Sequence, residues 1–186
     1  MGTAKKVGIG LAGAIAIAVP ITAQFECLWL TAKVDTIGTG RPVTWCYGET
    51  EGPVKVGQRF TKKQCDDMLA AKLPRYANEI AKCIKVDISD KTRAAFISFA
   101  YNVGSAGFCG STSARKLNAG DTKGACDALM MWNKAQGRVV KGLTNRRAME
   151  RKLCLEGIGE PATPPVTREA TSTPPSRPWW KFWGAA

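Results

Sequence analysis

Three residues near the front of the chain, Glu26, Asp35 and Thr44, have types and surroundings that could carry chemistry. Glu26 opens an apolar run with Phe25, Leu28, Trp29 and Leu30, and that run has helical tendency. Asp35 begins a glycine-containing turn, "DTIGTGRP", and Thr44 starts "VTWCYG", a stretch suited to a strand. An acid among apolar side chains tends to keep its proton, whereas one on a wet turn stays ionised. Breaking a glycosidic bond uses that contrast. One carboxyl donates to the leaving oxygen, and an ionised group activates water or stabilises the positive centre. Acid pairs at such spacing recur in any basic protein, so the pair alone selects no function.

The chain contains no histidine. That absence removes the Ser-His-Asp and Cys-His arrangements, which need an imidazole base, and the usual hydrolytic zinc sites. Carboxylates are then the best remaining acid–base pair for a hydrolase, with no metal and no cofactor expected. A chain of 186 residues is long enough for one domain with a core plus short appendages. Its net charge of +12 favours an anionic partner: nucleic acid, a lipid surface or an acidic polymer such as a bacterial wall. No helix-turn-helix, RNP or zinc-finger signature is present, so nucleic acid is not expected. Seven cysteines, Cys27, Cys46, Cys65, Cys83, Cys109, Cys126 and Cys154, are spread evenly rather than clustered. They predict disulfides in an oxidising compartment with at least one thiol left over, and spacing alone selects no pairing.

The elements that must position these residues can be read in order. Lys5 and Lys6 precede seventeen uncharged residues, 7–23, "VGIGLAGAIAIAVPITA". That length sits at the lower edge of a bilayer span, and the two lysines predict a cytoplasmic N-terminus with the remainder exported. The segment reads either as a retained anchor or as a signal peptide cleaved after Ala23. Residues 24–160 read as one folded domain. Between Val43 and Arg59 the turn residues Gly48, Gly52, Pro53 and Gly57 separate short β-compatible pieces, predicting a small antiparallel sheet. Helices follow: Thr61 and Gln64 form a capping box, and Pro74 is expected to interrupt or kink that helix. "DKTRAAFISFAYNVG" predicts a central buried helix stopping at Gly104. Ser111 or Thr112 caps the next helix and Gly120 stops it, while Asp121 and Thr144 cap two more. The class is α+β. Residues 161–178 form a Pro/Thr/Ser-rich linker, and 179–186, "WWKFWGAA", hold three of the six tryptophans. Such aromatics beside a cation suit a membrane interface, or fold back onto a groove of the domain.

Taken in order, the Glu26, Asp35 and Thr44 run, "WCYGET", "CDDMLAAKL", "RAAFISFAYNVGSAGFCGSTSARKLNAGDTKGACDALMMW" and "GLTNRRAMERKLCLEG" resemble the phage-type lysozymes, glycoside hydrolase family 24. The resemblance covers roughly residues 24–159. The front end resembles lambdoid phage endolysins with a signal-anchor-release segment, which are exported, held in the inner membrane and later freed into the periplasm. It implies a lysozyme-like α+β fold with a small β lobe and a larger helical lobe, acting on the MurNAc–GlcNAc β-1,4 bond. By the same resemblance Glu26 is the general acid, Asp35 positions or deprotonates water, and Thr44 holds that water or the substrate. Arg146 or Arg147 pairs with Glu26, unless both lie on a solvated helix face, and Tyr47 and Asn102 are further substrate-contacting or orienting candidates. The implied partners are peptidoglycan, the inner membrane through residues 7–23, and lipid or the outer membrane through the Trp-rich tail, with the protein a monomer.

Two departures stand out. The turn between Asp35 and Thr44, "TIGTGRPV", is longer than is usual in the family, and Glu49 stands where a histidine is common. That third carboxylate reads either as a harmless neighbour of the site, the preferred reading, or as a local modifier of acidity. Family members often join the "CYG" cysteine to one in the next helix, which implies Cys46–Cys65 and, by the same logic, Cys83–Cys109 and Cys126–Cys154. Cys27 is then the odd thiol, expected as a buried small hydrophobe, with a redox latch as the alternative. The rival reading is a cationic membrane-active or wall-binding antimicrobial protein with no glycosidase activity.

Overall fold

The uncharged N-terminal run folds into α1 (Ile9–Ala23), and this helix is built into the core of the domain. The computed structural model describes residues 9–35 and 40–162. Apolar residues surround α1 on every side, so its sequence selects no buried face by itself. Size selects it instead. Ala14, Ala18 and Thr22, four residues apart, are wholly buried, while Ala12, Ala16 and Pro20 face outward. The approach is close enough that a Cβ at Gly13 would run into the carboxylate of Asp90. Among the described residues, no helix is long and apolar enough to cross a membrane.

Asp90 opens α3 (Asp90–Val103), whose residues from Thr92 to Ala100 are all buried. Ser89 caps it through the Thr92 amide, and Gly104, at φ +82°, ends it in a conformation that favours glycine. The last helix, α7 (Lys141–Glu156), lies antiparallel to α3. At one end the Thr92 hydroxyl donates to the Cys154 carbonyl (3.1 Å), and at the other Arg147 donates to Asn102 (3.2 Å). Helix α1 runs parallel to α3, from Asp90 toward Tyr101. The C-terminal ends of α1 and α3 and the start of α7 therefore meet in one place.

A long helix, α2 (Lys62–Ala81), and the shorter α4 (Ser105–Cys109), α5 (Thr112–Asn118) and α6 (Thr122–Ala128) complete the helical lobe. The Thr61–Gln64 capping box forms, Ser111 caps α5 and Asp121 caps α6. Pro74 lies inside α2 without ending it. Helix α7 begins three residues earlier than its expected cap: Val140 holds that position, and the Thr144 hydroxyl donates back to the Val140 carbonyl (3.1 Å) from within the helix. Before α7, β3 (Lys134–Ala135) and β4 (Arg138–Val139) make a small hairpin.

The β lobe pairs β1 (Trp29–Val34) with β2 (Val43–Cys46), antiparallel, with an irregularity between Trp29 and Lys33. The other edge of β1 is occupied by the 57–60 segment: Ala32 donates to Gln58 and Phe60 to Leu30, both at 2.8 Å. The sheet thus starts earlier than the expected 43–59 region. The apolar run after Glu26 becomes strand rather than helix, because β1 gains ladder partners on both edges. Disulfides Cys46–Cys65, Cys83–Cys109 and Cys126–Cys154 join β2 to α2, the end of α2 to α4, and α6 to α7. Residues 163–186, which hold most of the expected 161–178 linker and all of the 179–186 tail, lie outside the described residues.

The docked face of α1 carries one flaw, since the buried Thr22 hydroxyl finds no hydrogen-bond partner among the described residues. Thr22→Val keeps the shape and removes the unpaired group, so it raises stability by about 1 kcal/mol. Ala18→Leu overfills the same seam and lowers stability by about 1–3 kcal/mol. Thermal unfolding of the two variants checks both signs.

Candidate active site

Glu26 reaches its place because α1 ends beside it. The chain leaves the helix through tightened turns in which Phe25 donates to Thr22 (3.1 Å) and Glu26 donates to Ala23 (3.4 Å). The Glu26 backbone is thereby tied to the last residue of α1. Its carboxylate Oε1 accepts from Nη1 of Arg146 at 2.7 Å, and the guanidinium also lies over the Phe25 ring.

Arg146 is buried, and each of its three nitrogens has an acceptor. Nη1 serves Glu26, Nη2 donates to the Ser98 carbonyl (3.2 Å), and Nε donates to Glu150 (3.2 Å). Arg147 is buried as well. It donates through Nη2 to Asn102 (3.2 Å) and to Glu150 (3.1 Å), and it stacks over the Phe99 ring at 4.6 Å. Burial pulls the Arg147 guanidinium down to about 10, with Glu150 opposing the shift. Neither arginine lies on a solvated face. Of the two, Arg146 pairs with Glu26, and Arg147 orders Asn102.

Around this corner stand two more titratable groups. Tyr101 donates its hydroxyl to the Tyr47 carbonyl (3.2 Å). Burial, then the nearby Glu26 and Glu49 carboxylates, push its phenol well above the ordinary range, so it remains a donor. Glu49 is buried and bound by Lys72 Nζ at 2.7 Å. The third carboxylate is therefore charge-compensated, which explains how it is tolerated where a histidine is common. Tyr47 gives its own hydroxyl to Asp66 (2.7 Å), so its tie to the site runs through its backbone.

The β lobe supplies the remaining candidates. Asp35 is half-buried just beyond β1, its amide donating to the Pro42 carbonyl (2.8 Å). Thr44 is buried in β2 opposite Lys33. Residues 36–39 of the turn between them lie outside the described residues. Cys27 is exposed and unpaired, so the expectation of a buried small hydrophobe fails: β1 begins two residues later and carries that part of the chain over the surface. Sequence reasoning missed Ser98 and Glu150. Their only signal was an acid three and four residues after two arginines, a pattern that usually marks an exposed helix pair.

The Glu26 carboxyl, held by a buried guanidinium, lies where a helical lobe meets a small β lobe, the arrangement of a lysozyme-like fold. Residues 23–150 match the family model described as phage lysozyme. The SAR-endolysin of Bacteriophage PS119 is 45% identical over 123 residues, covering 66% of this chain and 72% of that protein. The SAR-endolysin of Enterobacteria phage PA-2 is 46% identical over 114 residues, covering 61% and 69%. Among solved structures, the endolysin from Escherichia coli O157:H7 phage FAHEc1 superposes with a TM-score of 0.66 at 30% identity, covering 75% of this chain and 91% of that one. The chain belongs to the phage lysozyme family and is a peptidoglycan-hydrolysing endolysin, a muramidase.

Arg146→Lys keeps a positive charge but cannot serve three acceptors from one plane. We expect it to fold and to lose about tenfold or more in kcat, read from the rate of hydrolysis of purified peptidoglycan.

Proposed function

We propose that Glu26 is the general acid for cleavage of the MurNAc–GlcNAc β-1,4 bond, and that docking of α1 is what makes it competent. In the reaction the Glu26 carboxyl gives its proton to the glycosidic oxygen as the bond from that oxygen to the anomeric carbon breaks. Water positioned from Asp35, with Thr44 beside it, adds to that carbon and passes its proton to the Asp35 carboxylate. Asn102, ordered by Arg147, and Tyr101, bonded to the Tyr47 carbonyl, stand beside the pair as candidates to orient the sugars. The products are shorter glycan strands with a reducing MurNAc end.

The observation that carries this reading is the chain of contacts from α1 to Arg146. Glu26 is bonded through its backbone to Ala23, while the buried face of α1 fills the same core as α3. A helix inserted in a bilayer cannot also fill that core. While residues 7–23 are in the membrane, Glu26 is held at the lipid surface and its pairing with Arg146 is not made. Export with the segment in the inner membrane, followed by release to the periplasm, would thus switch the enzyme on. The names of the SAR-endolysin relatives support that course. Exit is feasible because glycine and alanine offer little area, and burial is worth only about 25 cal/mol per Å². The small residues that weaken the hold on lipid are those that let α1 pack against α3.

Glu26→Gln removes the proton and keeps the volume. We expect a folded protein with hydrolysis of purified peptidoglycan reduced by about a thousandfold or more, and wild-type digests containing reducing muramic acid. Undiminished cleavage by the variant overturns the acid assignment and favours the membrane-active reading. Anhydro sugar in place of the reducing end overturns hydrolysis.

A further inference from the structure

Glu150 is fully buried on α7, and nothing in the reaction above uses it. Removing a carboxylate from water is expensive unless it is paired and hydrogen-bonded. Here it is held from three directions. The Ser98 hydroxyl donates to Oε1 (2.8 Å), as do Arg146 Nε (3.2 Å) and Arg147 Nη2 (3.1 Å), and Arg147 Nε lies 2.8 Å from Oε2. Burial pushes its carboxyl above the ordinary range while the two guanidiniums and the Ser98 bond pull the other way. Cationic donors on both sides are how an ionised carboxylate is held.

We propose that Glu150 is a positioning residue for Glu26, acting through Arg146: it fixes the guanidinium so that Nη1 faces Glu26, and it cancels one of the two positive charges beside the acid. The proposal rests on Glu26 as the general acid. Such a group must carry a proton at working pH, yet a lone guanidinium at hydrogen-bond distance favours the ionised form. Two uncompensated arginines would favour it further. With Glu150 ionised, the Arg146–Arg147–Glu150 cluster carries a single net positive charge, so a protonated Glu26 leaves one charge and an ionised one leaves none. Without Glu150 the corresponding totals are two and one, and the proton is lost more readily.

Several other groups face the pair, besides Asp35 on the β lobe. Glu26 is faced by Arg146 from α7, by Tyr101 from α3, and behind Tyr101 by Glu49 with its Lys72 partner. Glu150 is faced by the two arginines of its own helix and by Ser98 from α3. Arg147 is the least satisfied member: among the described residues its Nη1 and Nε make no hydrogen bond, and the Nε approach to Glu150 Oε2 is an ion pair only. It brings positive charge without reaching Glu26, so Glu150 is the group that offsets it.

The test is the pH–rate profile of the full chain on purified peptidoglycan. Glu150→Gln moves the alkaline limb to lower pH by about one unit, the effect of one charge in a partly buried site. Arg147→Met moves it to higher pH. The double variant Glu150→Gln/Arg147→Met keeps the cluster charge, replaces a buried ion pair by a near-isosteric neutral pair, and returns the limb close to the wild-type position. If Glu150→Gln fails to fold, the displacement between Arg147→Met and the double variant reports the Glu150 charge by itself. Variants that lose rate or stability with the limb unmoved would make Glu150 a purely structural ion and overturn the proposal. Glu26→Gln in the same series separates the two claims: activity surviving in it means that the general-acid reading has failed instead.

Discussion

The 2.7 Å contact between Glu26 and Arg146 joins positions 120 residues apart in sequence, and the site depends on it. Glu26 could not be held by its own segment, and Arg146 takes only one of its acceptors, Glu150, from its own helix. Glu26 lies on a bend between a helix and an edge-paired strand, so its position follows from where α1 sits. Arg146 is held by Ser98 and Glu150 on the two helices that form the centre of the lobe. The contact therefore reports docking of the front of the chain onto the back, and its loss leaves a buried cation short of an acceptor. That is an unfavourable state, which gives the docked arrangement a driving force beyond apolar contact.

Two properties of α1 come from its small side chains, and both favour the docked state. A helix rich in alanine and glycine has little to gain from lipid, and it can approach another helix closely. Ala14 and Ala18 are wholly buried against the domain, and Gly13 passes the Asp90 carboxylate with no room for a Cβ. Larger aliphatic residues would strengthen the hold of a bilayer and spoil the fit to α3. The orphaned Thr22 hydroxyl shows that the docked seam is serviceable rather than optimal. On the proposed course α1 has two environments, and its sequence is a compromise between them.

Much of the helical lobe was legible because its signals are local. Gly104 ends the central helix, and Thr61, Ser111 and Asp121 cap as their types dictate. The α7 cap was misread since Val140 has no side-chain bond to offer, and Thr144 looked the better candidate. Pro74 does not interrupt α2, which runs on through it. Glu26 and the arginines could be named from residue type and resemblance, but the choice between Arg146 and Arg147 needed the hydrogen bonds each makes, to Glu26 and to Asn102. Glu150 was invisible for a related reason: three and four residues after two arginines, an acid has the same spacing on an exposed face as on a buried one. The strand after Glu26 was hidden because its partners at 43–46 and 57–60 are remote in sequence.

The most direct measurement compares the specific activity of the same chain in two states, on one preparation of purified peptidoglycan: held in inner-membrane vesicles, and after release from them. Hydrolysis confined to the released fraction is the predicted result, with little or none per molecule while α1 is in lipid. Equal activity per molecule in both fractions would contradict it, because Glu26 would then be competent without the helix that places it.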